Sequence, residues 1–255
     1  MSVFAGFRLA VGLLTIVPVR PPEEIGRTQA RAAMLVAPLA VLPLALVVAG
    51  IGWAGVWLGL PSALAGVLVV AALAFGTRAM HLDGLADVTD GLGSGKDASA
   101  AAAIMKRGDV GPMGVVALVL ALAAQALAAG AVIERPFGWL QVVVLLCVSR
   151  GALALGCLRG VPAARPDGLG ALVADSVPPV AAVSSWIVLA LAAVGTGLLA
   201  GQDWWLPVAG VLLALAAAWW LLARAVARLG GITGDVLGAL VEVSASVLLV
   251  VAAIG

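Results

Sequence analysis

Seven long apolar runs constrain the fold of this chain more than any other feature. Each run is long enough for a helix to cross a hydrocarbon core of about 30 Å. A mean hydropathy of +1.19 excludes a soluble globular domain. The sequence therefore predicts an all-α, polytopic membrane helix bundle that forms one integral membrane domain over residues 1–255. The runs lie at residues 33–58, 62–80, 112–133, 137–157, 179–200, 204–222 and 236–254.

A shorter apolar segment, residues 3–19, precedes these runs and carries Arg8 in its middle. It fits an interfacial or re-entrant helix as well as a first span, so the bundle is predicted to have seven or eight spans. Arg8 and the lack of a small-residue cleavage site argue against a removable signal peptide. Pro18, Pro21 and Pro22 end the segment. A charged loop follows, which contains Glu23 and Glu24.

The basic residues indicate the orientation of the bundle. Nearly all Lys and Arg fall in alternate connections, around residues 20–31, 78–107, 159–165 and 224–228, and the other connections are almost uncharged. By the positive-inside rule, the basic connections are cytoplasmic. Five tryptophans mark the opposite ends of their spans, as an aromatic belt would. They are Trp53, Trp57, Trp139, Trp204 and Trp205. A formal net charge of +1 without a basic run gives no indication of nucleic-acid binding.

An acidic motif lies in the polar connection at about 78–111, in the run His-Leu-Asp-Gly-Leu-Ala-Asp-Val-Thr-Asp-Gly. Positions i, i+4 and i+7 fall within about 60° on a helix, so Asp83, Asp87 and Asp90 share one face. Hard oxygen ligands suit Mg²⁺ or Mn²⁺. The alternative is that these acids cap the following helix, which needs only one acid. The spacing of three therefore favours a metal site.

Two residues beside this motif have alternative interpretations. His81, the only histidine, could ligate a metal, act as a general base toward a hydroxyl, or satisfy a buried hydrogen bond. Arg78 could bind phosphate or anchor its helix at the lipid headgroups. The run Gly91–Asp97 has the wrong glycine spacing for a P-loop, and no strand precedes it.

A basic pair, Lys106 and Arg107, closes the same connection. These residues could be positive-inside charges only. They could also clamp a pyrophosphate, since neutralising charge is most of what phosphoryl transfer requires.

A second acidic pair lies near the C-terminus. Asp235 and Glu242 are spaced i, i+7, so they share a helix face, and Glu242 lies about 10 Å into the bilayer. An ionisable group at that depth suggests a function, with helix packing as the alternative. The pair could complete the metal site or form a second one. Arg150, also inside a span, could form an ion pair with one of these acids or bind a phosphate.

Together these segments resemble one family, the adenosylcobinamide-GDP ribazoletransferases, also called cobalamin (5′-phosphate) synthases. The resemblance covers nearly the whole chain in order. It rests on Leu14–Pro18, His81–Gly91, Ile104–Gly114, Val148–Gly151, Gly168–Gly170 and Gly230–Glu242.

The resemblance implies a multi-pass enzyme of the bacterial cytoplasmic membrane, with its active site facing the cytoplasm. α-Ribazole or its 5′-phosphate attacks adenosylcobinamide-GDP, and adenosylcobalamin or its 5′-phosphate is formed with GMP in the presence of Mg²⁺. The residues fit this chemistry as metal ligands (Asp83, Asp87, Asp90, Asp235, Glu242), phosphate contacts (Arg78, Lys106, Arg107, Arg150) and catalytic groups (His81, Asp83, Asp87). The sequence leaves open whether the chain forms a homo-oligomer.

Two positions depart from the family pattern. Arg107-Gly108-Asp109 stands where Asp-Ser-Arg is frequent, and Ala245 stands where a second glutamate commonly follows Glu242.

Two other function classes would show different sequence patterns. A CDP-alcohol phosphotransferase would have Asp-x-x-Asp-Gly and a downstream Ala-Arg, whereas three residues separate Asp83 from Asp87. A cation-coupled transporter would place its acids near the midplane rather than at the cytoplasmic boundary.

Overall fold

The computed structural model describes residues 2–20, 22 and 25–254. Pro21, Glu23 and Glu24 of the predicted charged loop lie outside the described residues. The described part contains twelve helices and no strand, apart from two isolated bridges. The helices are α1 (Ser2–Leu14), α2 (Arg27–Trp57), α3 (Ser62–Gly76), α4 (Met80–Gly93), α5 (Ala98–Met105), α6 (Pro112–Ile133), α7 (Gly138–Ser149), α8 (Gly151–Gly156), α9 (Gly168–Val173), α10 (Pro179–Leu199), α11 (Trp205–Leu229) and α12 (Gly234–Ala252).

The predicted polytopic membrane bundle is confirmed. In the described part, six helical segments are long and apolar enough to span a membrane: α2, α6, α7 with α8, α10, α11 and α12. Helices α3 and α4 pass the same test only together, and they bend by 91° at their junction. The pair is either a broken span or a re-entrant segment, so the described part has six spans, or seven if the bent pair is one. The segment predicted at residues 3–19 is helical only to Leu14.

Helix α12 lies at the centre of the bundle. It packs against α4, α6, α7, α8 and α11, and 72% of its apolar window is buried, against 28% for α10. α10 presents Val183, Ile187 and Leu191 outward instead. Outward apolar side chains are expected where a helix faces lipid. Groups carried by α12 are therefore held from several sides.

The sharp bend before α4 is made by two residues in the left-handed region, Arg78 with φ 57° and Ala79 with φ 54°. α4 then crosses α12 at two glycines. A Cβ atom on Gly84 would lie 2.6 Å from the carbonyl oxygen of Asp235, and one on Gly238 would lie 3.1 Å from the Cα of His81. The two backbones approach this closely because both positions lack a side chain.

A pair of loops meets at the same end of the bundle. The Ala164 N–H donates to the Ile232 carbonyl, and the Ile232 N–H donates to the Pro162 carbonyl, each at 2.9 Å. The loop after α8 is thereby tied to the loop before α12. This tie brings Arg165 next to the first turn of α12.

Candidate active site at one end of the bundle

The three motif aspartates lie on one helix, α4, as their spacing predicted. Asp83 is exposed in the first turn, and Asp87 and Asp90 are partly buried on the following turns. The polar connection predicted at 78–111 is thus largely helical, since α4 and α5 occupy most of it.

Asp87 lies in a strongly negative environment. Burial raises its pKa to about 6, and the carboxylates of Asp83 and Asp235, and then Asp90, add to this shift. The Arg165 guanidinium opposes the shift but does not cancel it. A raised carboxyl pKa means that negative charge is costly at this position. A cation bound here would relieve only the part of the shift that the neighbouring carboxylates cause.

Asp235 joins this group from α12. Its Oδ2 accepts hydrogen bonds from the Arg165 guanidinium at 3.3 Å and from the Thr233 hydroxyl at 3.1 Å. Thr233 also caps α12, since its hydroxyl oxygen accepts from the Val236 N–H at 3.2 Å. Asp235 is consequently fixed at a helix N-terminus while its side chain stays 29% exposed.

A cavity of about 380 Å³ opens beside Asp235. Lys106 and Arg165 line it, together with Asp167. Lys106 was predicted as a phosphate contact, and the structure brings it to the same cavity as Asp235. Arg165 and Asp167 were missed, because Arg165-Pro166-Asp167-Gly168 looks like an ordinary turn in sequence.

Asp90 has a different environment from the other two motif aspartates. Its Oδ2 accepts from the Gly111 N–H at 2.7 Å and its Oδ1 accepts from the Gly114 N–H at 2.9 Å. Both carboxylate oxygens are thus engaged at the N-terminus of α6, which is the capping role left as the alternative above. A Cβ on Gly114 would lie only 2.4 Å from Asp90 Oδ2, so the glycine permits this approach.

Two of the predicted phosphate contacts do not reach the cavity. The guanidinium of Arg78 donates to the carbonyls of Gly12 and Leu13, each at 3.0 Å, and so holds the C-terminal end of α1. Arg107 is exposed between α5 and α6 and does not line the cavity.

The remaining predicted site residues lie inside the bundle. Arg150 is 1% exposed, His81 3% and Glu242 6%. Glu242 Oε2 accepts from the Gln125 amide at 2.8 Å, whereas Asp235 is bound to Arg165. The structure therefore separates Asp235 from Glu242 rather than joining them in one site. Neither ring nitrogen of His81 has a hydrogen-bond partner in the described part of the chain.

The carboxylates of Asp83, Asp87 and Asp235 could serve as ligands of a metal ion. Within the described residues, no group of three His, Cys, Asp or Glu is arranged to hold a metal ion. Mg²⁺ rarely needs such a cage, since it commonly binds one or two carboxylates, several waters and substrate phosphates. The donor chemistry of these carboxylates fits a magnesium ion bound together with a phosphorylated substrate.

Comparison with known proteins identifies the family of the chain. A family model described as cobalamin-5-phosphate synthase matches residues 6–253. The chain belongs to this family. It is accordingly an enzyme, a transferase of cobalamin biosynthesis embedded in a membrane.

Curated relatives span the same length. The chain is 45% identical to an adenosylcobinamide-GDP ribazoletransferase of Nocardioides sp., over 93% of both chains. It is 38% identical to the ribazoletransferase of Frankia casuarinae, over 96% of this chain and 93% of the relative. It is 36% identical to that of Bradyrhizobium diazoefficiens, over 99% and 94%. No solved structure matches the chain.

Proposed function

We propose that this chain joins adenosylcobinamide-GDP to α-ribazole or α-ribazole 5′-phosphate, with release of GMP, in a Mg²⁺-dependent reaction at the cytoplasmic face of the membrane. The names of the similar proteins support the choice of substrates. The end of the bundle that carries the aspartates also carries the basic connections, which supports the cytoplasmic orientation.

One observation carries the proposal. Packing of Gly84 against Asp235 brings the acidic face of α4 to the start of α12, beside a cavity that Lys106 and Arg165 line. Carboxylates next to cations at an open cavity suit a pyrophosphate that is bound through a metal on one side and basic residues on the other.

The reaction exchanges one phosphorus–oxygen bond for another. A ribose hydroxyl of the ribazole attacks the phosphorus on the cobinamide side of the pyrophosphate, and its proton passes to water in the open cavity. The bond from that phosphorus to the GMP oxygen breaks, and GMP leaves with the electron pair. Magnesium, when bound, polarises the phosphoryl group and reduces the charge on the departing GMP.

The residues have distinct roles in this proposal. Asp83, Asp87 and Asp235 hold the metal, and Lys106 and Arg165 neutralise the pyrophosphate oxygens. Asp90 positions α6 through its two backbone hydrogen bonds. Glu242, Arg150 and His81 are buried and do not touch the substrate.

The test is GMP release by the protein purified in detergent. Release should require adenosylcobinamide-GDP, α-ribazole phosphate and Mg²⁺ together, and it should stop with a chelator. Asp87→Asn should lower turnover by about 10²- to 10³-fold, as the loss of a group that stabilises transition-state charge does. Asp203→Asn is the matched control, because Asp203 is exposed near the start of α11, at the other end of the bundle.

Three results would contradict the proposal. One is no GMP release from a folded protein that receives both substrates and Mg²⁺. Another is release that persists in the chelator. The third is equal turnover of the Asp87→Asn and Asp203→Asn variants, which would remove Asp87 from the site.

A further inference from the structure

A second cavity adjoins the one beside Asp235. The larger space is the phosphate cavity, which Lys106 and Asp235 line. The smaller space, the α5 cavity, has a volume of about 200 Å³. Met105, Arg165 and Thr233 line both, so the two cavities are direct neighbours. Sites for whole drug-sized ligands usually measure about 300–1,000 Å³, so the α5 cavity suits one part of a ligand whose remainder lies in the phosphate cavity.

The wall of the α5 cavity is mostly apolar. Helix α5 contributes Ala98, Ala102 and Met105, which recur along one face of the helix. Ala164, from the loop after α8, and Leu229, at the end of α11, close the other sides. The three alanines leave space that larger side chains would fill.

The polar side chains of the α5 cavity already have partners. The Ser99 hydroxyl donates to the Asp97 carboxylate at 2.8 Å, and the Thr233 hydroxyl donates to Asp235 at 3.1 Å. Arg165 pairs with Asp235 at 3.3 Å. A ligand group rich in donors and acceptors would leave some of them unpaired here, which is unfavourable. The cavity therefore suits a small apolar group.

The α5 side of the cavity is held by two other helices. The Arg228 guanidinium, in the last turn of α11, donates to the Lys96 carbonyl at 2.8 Å, just before α5. Met105 packs against α4 at Gly91, where an added Cβ would lie 2.9 Å from the Met105 sulfur. Asp97 caps the first turn of α5. A wall fixed in this way can discriminate ligand groups by their size.

We propose that the α5 cavity binds the base of α-ribazole and that Ala102 limits the size of the base. Among the groups of the two proposed substrates, the dimethylbenzimidazole base is small, bicyclic and apolar, without an exocyclic donor or acceptor. Guanine carries an amino group, a ring N–H and a carbonyl, whose partners a wall of alanine, methionine and leucine does not supply. The corrin ring is much too large. This inference rests on the function proposed above.

The two adjoining cavities also suit the geometry of the reaction. A ribose joins the base to the hydroxyl that attacks the phosphorus, and Arg165 and Thr233 lie where the two cavities meet. A base held in the α5 cavity therefore directs the ribose toward the phosphate cavity. Holding a nucleophile in the correct orientation accelerates its attack.

The first test compares Ala102→Leu with Ala103→Leu. Ala103 is the next residue of α5, is exposed and lines neither cavity. Leucine is nearly as good a helix former as alanine, so α5 should persist in both variants. Ala102→Leu should raise the KM for α-ribazole phosphate by at least about 10-fold, as small size changes in apolar pockets do. The KM for adenosylcobinamide-GDP should stay unchanged, and Ala103→Leu should behave like the native chain.

The second test changes the size of the base. The native chain should prefer α-ribazole phosphate by about 10-fold in kcat/KM over the analogue whose benzimidazole lacks both methyl groups, because two methyl groups are then not buried. Ala102→Val narrows the cavity and should reduce or reverse this preference. A general disturbance of the site would instead lower kcat/KM equally for both bases.

Three results would overturn the inference. Ala102→Leu and Ala103→Leu with equal kinetics would show that neither substrate uses the cavity. A rise in the KM for adenosylcobinamide-GDP alone would assign the cavity to guanine. An equal loss with both bases in Ala102→Val would show that Ala102 does not sense the base. If Ala102→Leu does not fold, the preference of Ala102→Val between the two bases decides.

Equilibrium dialysis of α-ribazole phosphate separates this inference from the proposed function. The native chain and Ala103→Leu should bind it alike, and Ala102→Leu should bind it at least about 10-fold more weakly. This pattern without GMP release would refute the proposed function and keep the base site. GMP release with no effect of Ala102→Leu on binding or KM would refute the base site alone.

Discussion

Helix α12 carries two acidic residues in opposite environments. Asp235, in its first turn, is 29% exposed at the side chain and pairs with Arg165, which is 24% exposed. Glu242 lies seven residues further along, is 6% exposed and accepts from Gln125. The chain thus places one acid where water and a charged ligand can reach it and the other where neither can.

This difference shows that two acidic residues on one helix can have different roles, because one is exposed and the other is buried. An exposed ion pair is weak and can exchange its partner for a ligand, whereas a buried polar group must keep its hydrogen-bond partner. Asp235 therefore suits metal and phosphate binding, and Glu242 suits the attachment of α12 to α6 through Gln125.

The largest expected effect separates the two acid environments. Asp83→Asn should lower turnover by about 10²- to 10³-fold and raise the Mg²⁺ concentration needed for half-maximal rate. Glu242→Gln should lower turnover without that shift in Mg²⁺ requirement. GMP release measured over a Mg²⁺ series checks this, and an equal shift in both variants would erase the contrast.

The next effect concerns the contact that brings the site together. Gly84→Ala would put a Cβ 2.6 Å from the Asp235 carbonyl oxygen, and backbone cannot swing aside as a side chain can. We expect a stability loss of about 1–3 kcal/mol from overpacking, together with reduced turnover.

Gly93→Ala is the matched control for this variant. Gly93 lies on the same helix, and a Cβ there would lie 3.3 Å from the flexible Met113 side chain. Thermal unfolding in detergent and GMP release should distinguish the two variants. Equal behaviour would show that α4 and α12 do not depend on close approach at Gly84.

A smaller effect is expected for Asp90. Asn in its place keeps one acceptor oxygen and loses one of the two bonds to α6, so stability should fall by about 0.5–2 kcal/mol. The Mg²⁺ requirement should stay that of the native chain. A shift in this requirement as large as that of Asp83→Asn would instead make Asp90 a metal ligand, as its spacing in the sequence indicated.

The smallest effect on stability is expected for the exposed pair. Arg165→Gln should change the free energy of unfolding by less than about 1 kcal/mol, because exposed ion pairs contribute little. The KM for adenosylcobinamide-GDP should rise in this variant but not in Arg159→Gln, whose exposed arginine lies outside the cavity. A large stability loss with an unchanged KM would make Arg165 a structural residue.

Much of the architecture could be predicted from the sequence. Hydropathy and helical spacing are local properties, so six of the seven spans and the helix that carries Asp83, Asp87 and Asp90 were predicted correctly. The bend before α4 was not predicted. The run at 62–80 ends at Gly76, because Arg78 and Ala79 adopt left-handed conformations that apolar composition does not reveal.

The grouping of the candidate site residues was decided only by the tertiary structure. Asp90 meets Gly111, Glu242 meets Gln125 and Asp235 meets Arg165 across 21, 117 and 70 residues. Such contacts depend on how helices pack, and similar polar residues on a helix face can lie at a cavity or inside the core. The sequence by itself determined the helices, the membrane character and the acidic face, because each follows from neighbouring residues. Packing decided which acids share a cavity, because that follows from residues far apart in the chain.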